Sequence, residues 1–300
     1  EVNICDIVKP LTKYRKFIKN KENFLDELHK AIEICKSGRP GPVWLDVALD
    51  IQWGDIKFKK YKSTVKTMKR NLEKSYLKIN NYINNSNKPL ILIGSGVKNG
   101  SGEKFFLQFL KKYKIPFVTT WNSADIAETN HPLNLGILGM SGQRGANKSI
   151  FKSDLLICMG THLAIPHTTT LYNSYAPQAK KIIINIDREE LKNTNVKFNF
   201  KLHDDIQNYL KWSIKQSFRK KYQWTDLNKF KEMNWYEPRE TKKPNSNKFI
   251  RLLTSSLNKK TCIIADGGGT ALYSTFQSSV LKKKTINLFV HLQFPLWALD

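Results

Sequence analysis

Four short runs between residues 88 and 186 carry almost nothing but apolar side chains: Leu90-Ile91-Leu92-Ile93, Pro116-Phe117-Val118-Thr119-Thr120, Leu155-Leu156-Ile157-Cys158-Met159 and Ile182-Ile183-Ile184-Asn185-Ile186. A strand that is apolar at successive positions has to be covered on both faces. That argues against a half-solvated antiparallel sheet and for a parallel sheet held between helix layers. Segments at helical spacing stand between and after the runs, over Phe105–Tyr113, Ala146–Phe151 and residues 204–215. The alternation predicts an α/β chain with a Rossmann-like central parallel-sheet domain.

The flanks read differently. Residues 20–36 place Phe24, Leu25, Leu28, Ala31, Ile32 and Cys35 on one helical face. Gly38-Arg39-Pro40-Gly41-Pro42 then makes a rigid turn, because glycine allows unusual backbone angles and proline holds φ near about −65°. The strand Val43–Val47 follows directly. Only a short helix of mixed polarity is expected after Lys13-Tyr14-Arg15-Lys16. Residues 54–80 are Lys-rich with weak periodicity, like a linker leading into a helix, and 217–245 form a polar bridge. Cys262-Ile263-Ile264-Ala265-Asp266 opens a third unit, with a helix expected over Ala271–Val280.

The formal net charge of +25 invites a nucleic-acid role, but only 8 of the 50 basic residues are Arg. The lysine clusters Lys57 to Lys69 and Lys282 to Lys284 lack the interleaved aromatics of single-strand binders, so solvated lysine faces are the better account. Cys5, Cys35, Cys158 and Cys262 lie far apart with no Cys-x-x-Cys pair, which speaks against zinc and disulfides and for a reduced, cytoplasmic setting. No apolar run approaches the ~18 residues that a membrane span needs. The chain opens on Glu1 rather than Met, as a processed product or a piece of a longer protein would.

Three constellations carry chemistry. Gly94-Ser95-Gly96 ends a strand, where a tight turn can bring backbone N–H groups to a phosphate; the third glycine of a dinucleotide fingerprint is missing, and a plain turn explains the pair equally well. His162 and His167 resemble a metal pair only superficially, since no acid or sulfur stands beside them in sequence. Asp266-Gly267-Gly268-Gly269-Thr270 follows a strand and precedes a helix. Three glycines there expose several N–H groups toward one point, reinforced by the helix dipole, which suits a diphosphate. The competing reading is a loop with Thr270 as N-cap.

Several strings resemble the thiamine-diphosphate enzymes of the acetolactate synthase type. Gly38 to Gln52 is a near-copy of the segment that closes their first domain. Leu138-Gly139-Met140-Ser141-Gly142 stands after His131-Pro132 and before Ser153 to Leu156, in the family's order, and Ile184-Asn185-Ile186-Asp187 continues it. The resemblance covers residues 1–52 and about 88–210. It implies partial α/β thiamine-diphosphate-binding domains on either side of the central one. The implied order is the end of a pyrimidine-binding domain (1–53), a linker (54–87), the central domain (88–216), a linker (217–246) and the start of a diphosphate-binding domain (247–300).

The implied chemistry is decarboxylation of a small 2-oxo acid and transfer of the acyl unit to an acceptor. Thiamine diphosphate and Mg2+ are the implied cofactors, and a homodimer or homotetramer the implied assembly, without nucleic-acid or membrane partners. Asp266, Gly267, Gly268, Gly269 and Thr270 are the implied cofactor-binding residues, where the family often has Gln-His in place of Gly269-Thr270. The family's activating glutamate and its Mg2+ ligands have no match here. No catalytic or metal-binding residue is therefore assigned, and the chain alone is expected to be inactive. Family members also hold FAD across the central domain with an Arg-Phe-Asp-Asp-Arg segment, but here that place reads Gly160-Thr161-His162-Leu163-Ala164-Ile165-Pro166-His167. A stand-alone FAD- or NAD-type nucleotide-binding module, or an inactive remnant, is the alternative. The tail from His291 to Asp300 fits nothing in the family, and a reading-frame shift near Val290 would account for it.

Overall fold

The computed structural model describes residues 2–56, 71–99, 102–170, 172–218, 220–235, 244–258, 261–266, 269–282 and 288–291, with backbone alone at 266, 269–271 and 288–291. The chain divides into two compact units, Glu1–Asn71 and Leu72–Asp300.

In the first unit β1 (Tyr14–Ile18) pairs in parallel with β2 (Val43–Val47), from Tyr14 opposite Val43 to Ile18 opposite Val47. The helix Phe24–Lys36 makes the crossover and buries Leu25 and Ala31. Lys13 holds the turn that follows. Its ammonium donates to the carbonyls of Ile34, Ser37 and Arg39 at 2.6, 2.5 and 2.9 Å. Gly38 takes φ +54°, as the turn requires of a residue without Cβ. The helix expected after Lys13 is instead strand β1, whose mixed polarity is that of a strand with exposed positions.

The second unit is built on a six-stranded parallel sheet: β3 (Pro89–Ile93), β4 (Phe117–Thr119), β5 (Asn134–Ile137), β6 (Leu155–Met159), β7 (Lys180–Asn185) and β8 (Phe200–His203), in the spatial order β5-β4-β3-β6-β7-β8. Every residue of β3 and of β6 is buried. Alternation along β3 sends Ile91 and Ile93 into one core with the helices Glu73–Asn84, Glu103–Tyr113 and Ile206–Ser213. Leu90 and Leu92 go to the other, with Ala146 and Ile150 of the helix Arg144–Lys152 and with Phe230. The sheet is thus covered on both faces, as its apolar strands require.

Two segments read as connectors take part in this packing. The helix Glu73–Asn84 buries Ile79 and Ile83 completely. The helix Leu227–Met233 lies within the polar bridge and drives Phe230 into the second core. Beyond it the helix Ser246–Ser256 leads to β9 (Ile263–Asp266), then the helix Gly269–Ser278, then β10 (Leu288–His291), which pairs in parallel with β9. Residues 292–300, which carry most of the anomalous tail, lie outside the described residues, as do Glu1 and the lysine cluster at 57–69.

Candidate functional site

Chain order reverses at β3: the chain moves outward to β4 and β5, then returns to β6 on the other side. In open parallel sheets such a reversal leaves a crevice beyond the carboxyl ends of the strands, and ligands collect there. The two loops at this point are Gly94-Ser95-Gly96 after β3 and Gly160-Thr161 after β6. Gly94 N donates to Met159 O and Gly96 N to Gly160 O, each at 3.0 Å. A Cβ added at Gly94 would stand 2.3 Å from Gly160 O. These glycines are therefore required by the contact between two loops, and their N–H groups are already committed. Gly94→Ala is expected to force the loops apart and cost about 2 kcal/mol of unfolding free energy, which chemical denaturation would read directly.

The Leu138–Gly142 loop is held from two sides. The Asn147 side chain accepts from Gly139 N at 3.0 Å and donates to Gly139 O at 2.9 Å, while Met140 N donates to Pro166 O at 2.8 Å. Asn147 escaped the sequence reading because a helical asparagine carries no local signal of a clamp eight residues back. Met140 is left 67% exposed at the rim.

The two histidines do not converge. His162 is exposed and pairs with the Glu190 carboxylate at 2.5 Å. His167 is turned inward, and neither ring nitrogen has a hydrogen-bond partner. Burial, with the nearby His162 charge adding to it and the His162 backbone partly opposing, lowers its pKa to about 4, so the ring is neutral at pH 7. Among the described residues no group of three or more His, Cys, Asp or Glu side chains could hold a metal ion.

Trp121, at the end of β4, joins this region to the third segment. Its ring meets His167 edge-on at 5.4 Å and stacks on Phe276 at 4.7 Å. Trp121, Ala124 and Ile137 pack with Ala265, Leu272, Phe276 and Leu281. Two polar ties reinforce the seam: Gln143 Nε2 donates to Gln277 O at 2.9 Å, and Leu281 N to Thr129 Oγ1 at 2.8 Å. β9 and the helix Gly269–Ser278 are thereby seated on the sheet domain. Asp266 ends β9 and Gly269 begins the helix, so Thr270 falls in the first turn rather than at the N-cap. Gly267 and Gly268 lie outside the described residues.

With this architecture in view, residues 77–212 match the central domain of thiamine pyrophosphate enzymes. The chain is 31% identical over 218 residues to the probable acetolactate synthase large subunit of Methanocaldococcus jannaschii, covering 70% of this chain and 36% of that protein. To the acetolactate synthase isozyme 1 large subunit of Escherichia coli it is 31% identical over 196 residues, 64% of this chain and 34% of that one. It belongs to the thiamine pyrophosphate enzyme family, and its likeness is to acetolactate synthase large subunits. It spans about a third of the length of the curated relatives it matches. No helix among the described residues is long and apolar enough to cross a membrane.

Proposed function

We propose that the chain contributes to an acetolactate synthase-like enzyme that uses thiamine diphosphate and Mg2+ on a small 2-oxo acid, working as a homodimer or homotetramer in the cytoplasm without nucleic-acid partners. In this reading residues 1–53 end the pyrimidine-binding domain, 88–216 form the central domain and 247–300 begin the diphosphate-binding domain, with 54–87 and 217–246 as connecting segments whose helices Glu73–Asn84 and Leu227–Met233 pack on the central sheet. Asp266, Gly267, Gly268, Gly269 and Thr270 are the residues that receive the diphosphate. The observation that supports the proposal is the seating of the strand Ile263–Asp266 and the helix Gly269–Ser278 on the sheet domain through Trp121 and Phe276.

Bound cofactor would supply the carbanion chemistry. The chain's part is to present the N–H groups at the start of the helix Gly269–Ser278 to an anion and to hold that helix in place. The residues at the sheet crevice do not fit a flavin dinucleotide. The Gly94, Gly96, Met140 and Gly160 amides all donate to the chain's own carbonyls, and the exposed side-chain pair at the crevice is His162 with the Glu190 carboxylate. The stand-alone nucleotide-binding reading is not favoured on the same grounds.

Calorimetric titration of the protein with thiamine diphosphate in the presence of Mg2+ tests the site. Saturable binding is expected, and Gly268→Asp, which sets a carboxylate against the diphosphate, is expected to weaken it at least about tenfold. An absence of saturable heat, or equal affinity in the variant, would remove the proposal.

A further inference from the structure

The amino edge of the six-stranded sheet, opposite the crevice, holds a cavity of about 440 Å3 where β6 and β7 begin. One wall is a single helical stripe: Lys78, Asn81 and Tyr82 fall at i, i+3 and i+4 of the helix Glu73–Asn84, and its C-cap Asn85 continues the stripe at i+7. The stripe runs beside the buried stripe of Tyr76, Ile79 and Ile83, so packing of the helix fixes which way its polar face is turned. The opposite wall carries Gln178 and Lys180.

Two lysines line this cavity, and the ammonium group of each rests against an aromatic ring. Lys78 Nζ lies 4.7 Å from the Phe200 ring centroid, and Lys180 Nζ lies 5.9 Å from that of Tyr82. A ring holds an ammonium in place without cancelling its charge, whereas a carboxylate would cancel it. The lining includes one acid, Asp154, and its oxygens are already used. They accept from Asn87 N at 2.7 Å, from Lys88 N at 2.9 Å and from the Ser86 hydroxyl. The carboxyl end of the helix would also oppose an anion, but the Lys220 ammonium covers the Asn84 carbonyl there. Asn85 donates to Asn81 Oδ1 at 3.1 Å, which leaves the Asn81 amide N–H groups for another acceptor.

We infer that this cavity is a binding site for a small, multiply charged oxyanion, held between Lys78 and Lys180 and hydrogen-bonded by the amides of Asn81 and Gln178. Its volume lies in the range that small-molecule sites occupy, roughly 300–1,000 Å3. The site is distinct from the diphosphate loop of the proposed function and does not depend on it.

Titration with inorganic phosphate, and separately with citrate, in low salt tests the inference. The double variant Lys78→Ala/Lys180→Ala is expected to lose at least about tenfold in affinity for the preferred anion, since both cationic groups of the cavity are removed. The control Lys104→Ala/Lys148→Ala removes the same charge from exposed positions elsewhere and is expected to change affinity less than about twofold. The stronger of the two anions distinguishes a phosphate ester from a polycarboxylate as the natural class. Phosphate bound at Gly267–Gly269 would respond to Gly268→Asp and not to the lysine pair, which separates the two sites. Equal weakening in both double variants, no weakening in either, or no binding of either anion overturns the inference. All four lysines are exposed, and an unchanged thermal midpoint will confirm that the variants fold.

Discussion

Gly145→Ala is expected to lower the unfolding free energy by about 3 kcal/mol or more, among the largest effects of any single methyl group in this chain. A Cβ at this position would stand 1.7 Å from Phe230 O and 2.7 Å from Asn234 Oδ1. Neither can yield cheaply. The first is backbone of the helix Leu227–Met233. The second is a side chain bound three ways, accepting from Gly145 N at 2.8 Å and Ala146 N at 3.2 Å and donating to Leu135 O at 2.8 Å. Asn234 in effect caps the helix Arg144–Lys152, whose own Gln143 makes no side-chain cap. Moving the neighbouring helix would expose Phe230, which is 5% exposed, and strip the cap as well. Overpacking costs about 1–3 kcal/mol and loss of a cap about 1 kcal/mol, hence the sum. Urea unfolding of Gly145→Ala beside Asn234→Ala separates the two, since the second loses the cap and its partners without the clash and should fall by about 2 kcal/mol. A Gly145→Ala protein as stable as the parent would show that the two helices are not in contact as described.

The second large effect is a dependence of stability on pH that belongs to one residue. His167 has its pKa lowered from the ordinary 6.5 to about 4, chiefly by burial. The folded protein therefore resists a proton that the unfolded chain accepts. Above pH 6.5 both states are neutral and the stability is fully present. As pH falls from 6.5 to about 4 the unfolded state gains protons first, and the folded state loses about 3 kcal/mol relative to it. Below that both are protonated and the dependence levels off. Carboxylates titrate partly in the same window, so the measurement is a comparison. His167→Leu removes the titrating ring and two unpartnered nitrogens, and its unfolding free energy should vary about 3 kcal/mol less between pH 7 and pH 4 than that of the parent. Superimposable profiles would mean that the ring reaches solvent. The effect bears on the site, because protonated His167 would stand against Trp121, whose ring also stacks on Phe276.

Much of the sheet was legible in advance. β3, β6 and β7 emerged within one or two residues of their apolar runs, because a strand buried on both faces needs an apolar side chain at nearly every position. β4 was visible for the same reason. The edge strands escaped. β5 reads Asn-Leu-Gly-Ile and β8 reads Phe-Lys-Leu-His, and an edge strand needs cover on fewer sides, so its sequence carries less of the signal. β1, Tyr-Arg-Lys-Phe-Ile, was hidden by its charges. The helix Leu227–Met233 has Leu227, Phe230 and Met233 as its apolar residues among lysines and a glutamate, which is too little for periodicity to stand out from a polar bridge.

The site divides along the same line. Gly94, Gly96 and Gly139 were conspicuous as turn residues, and the likeness to acetolactate synthases was carried by contiguous strings. What the loops touch was not. Composition and hydrophobic order determined by themselves that the chain makes a two-sided parallel sheet, because burying apolar strands leaves few other architectures. Only the tertiary structure decided that Gly94 closes on Gly160, that Asn234 caps a helix begun ninety residues earlier, that His167 packs against Trp121 and that Lys78 and Lys180 line one cavity. Each of these is a contact between segments far apart in the chain, and a short-range pattern carries no record of which distant residue will fill a given space.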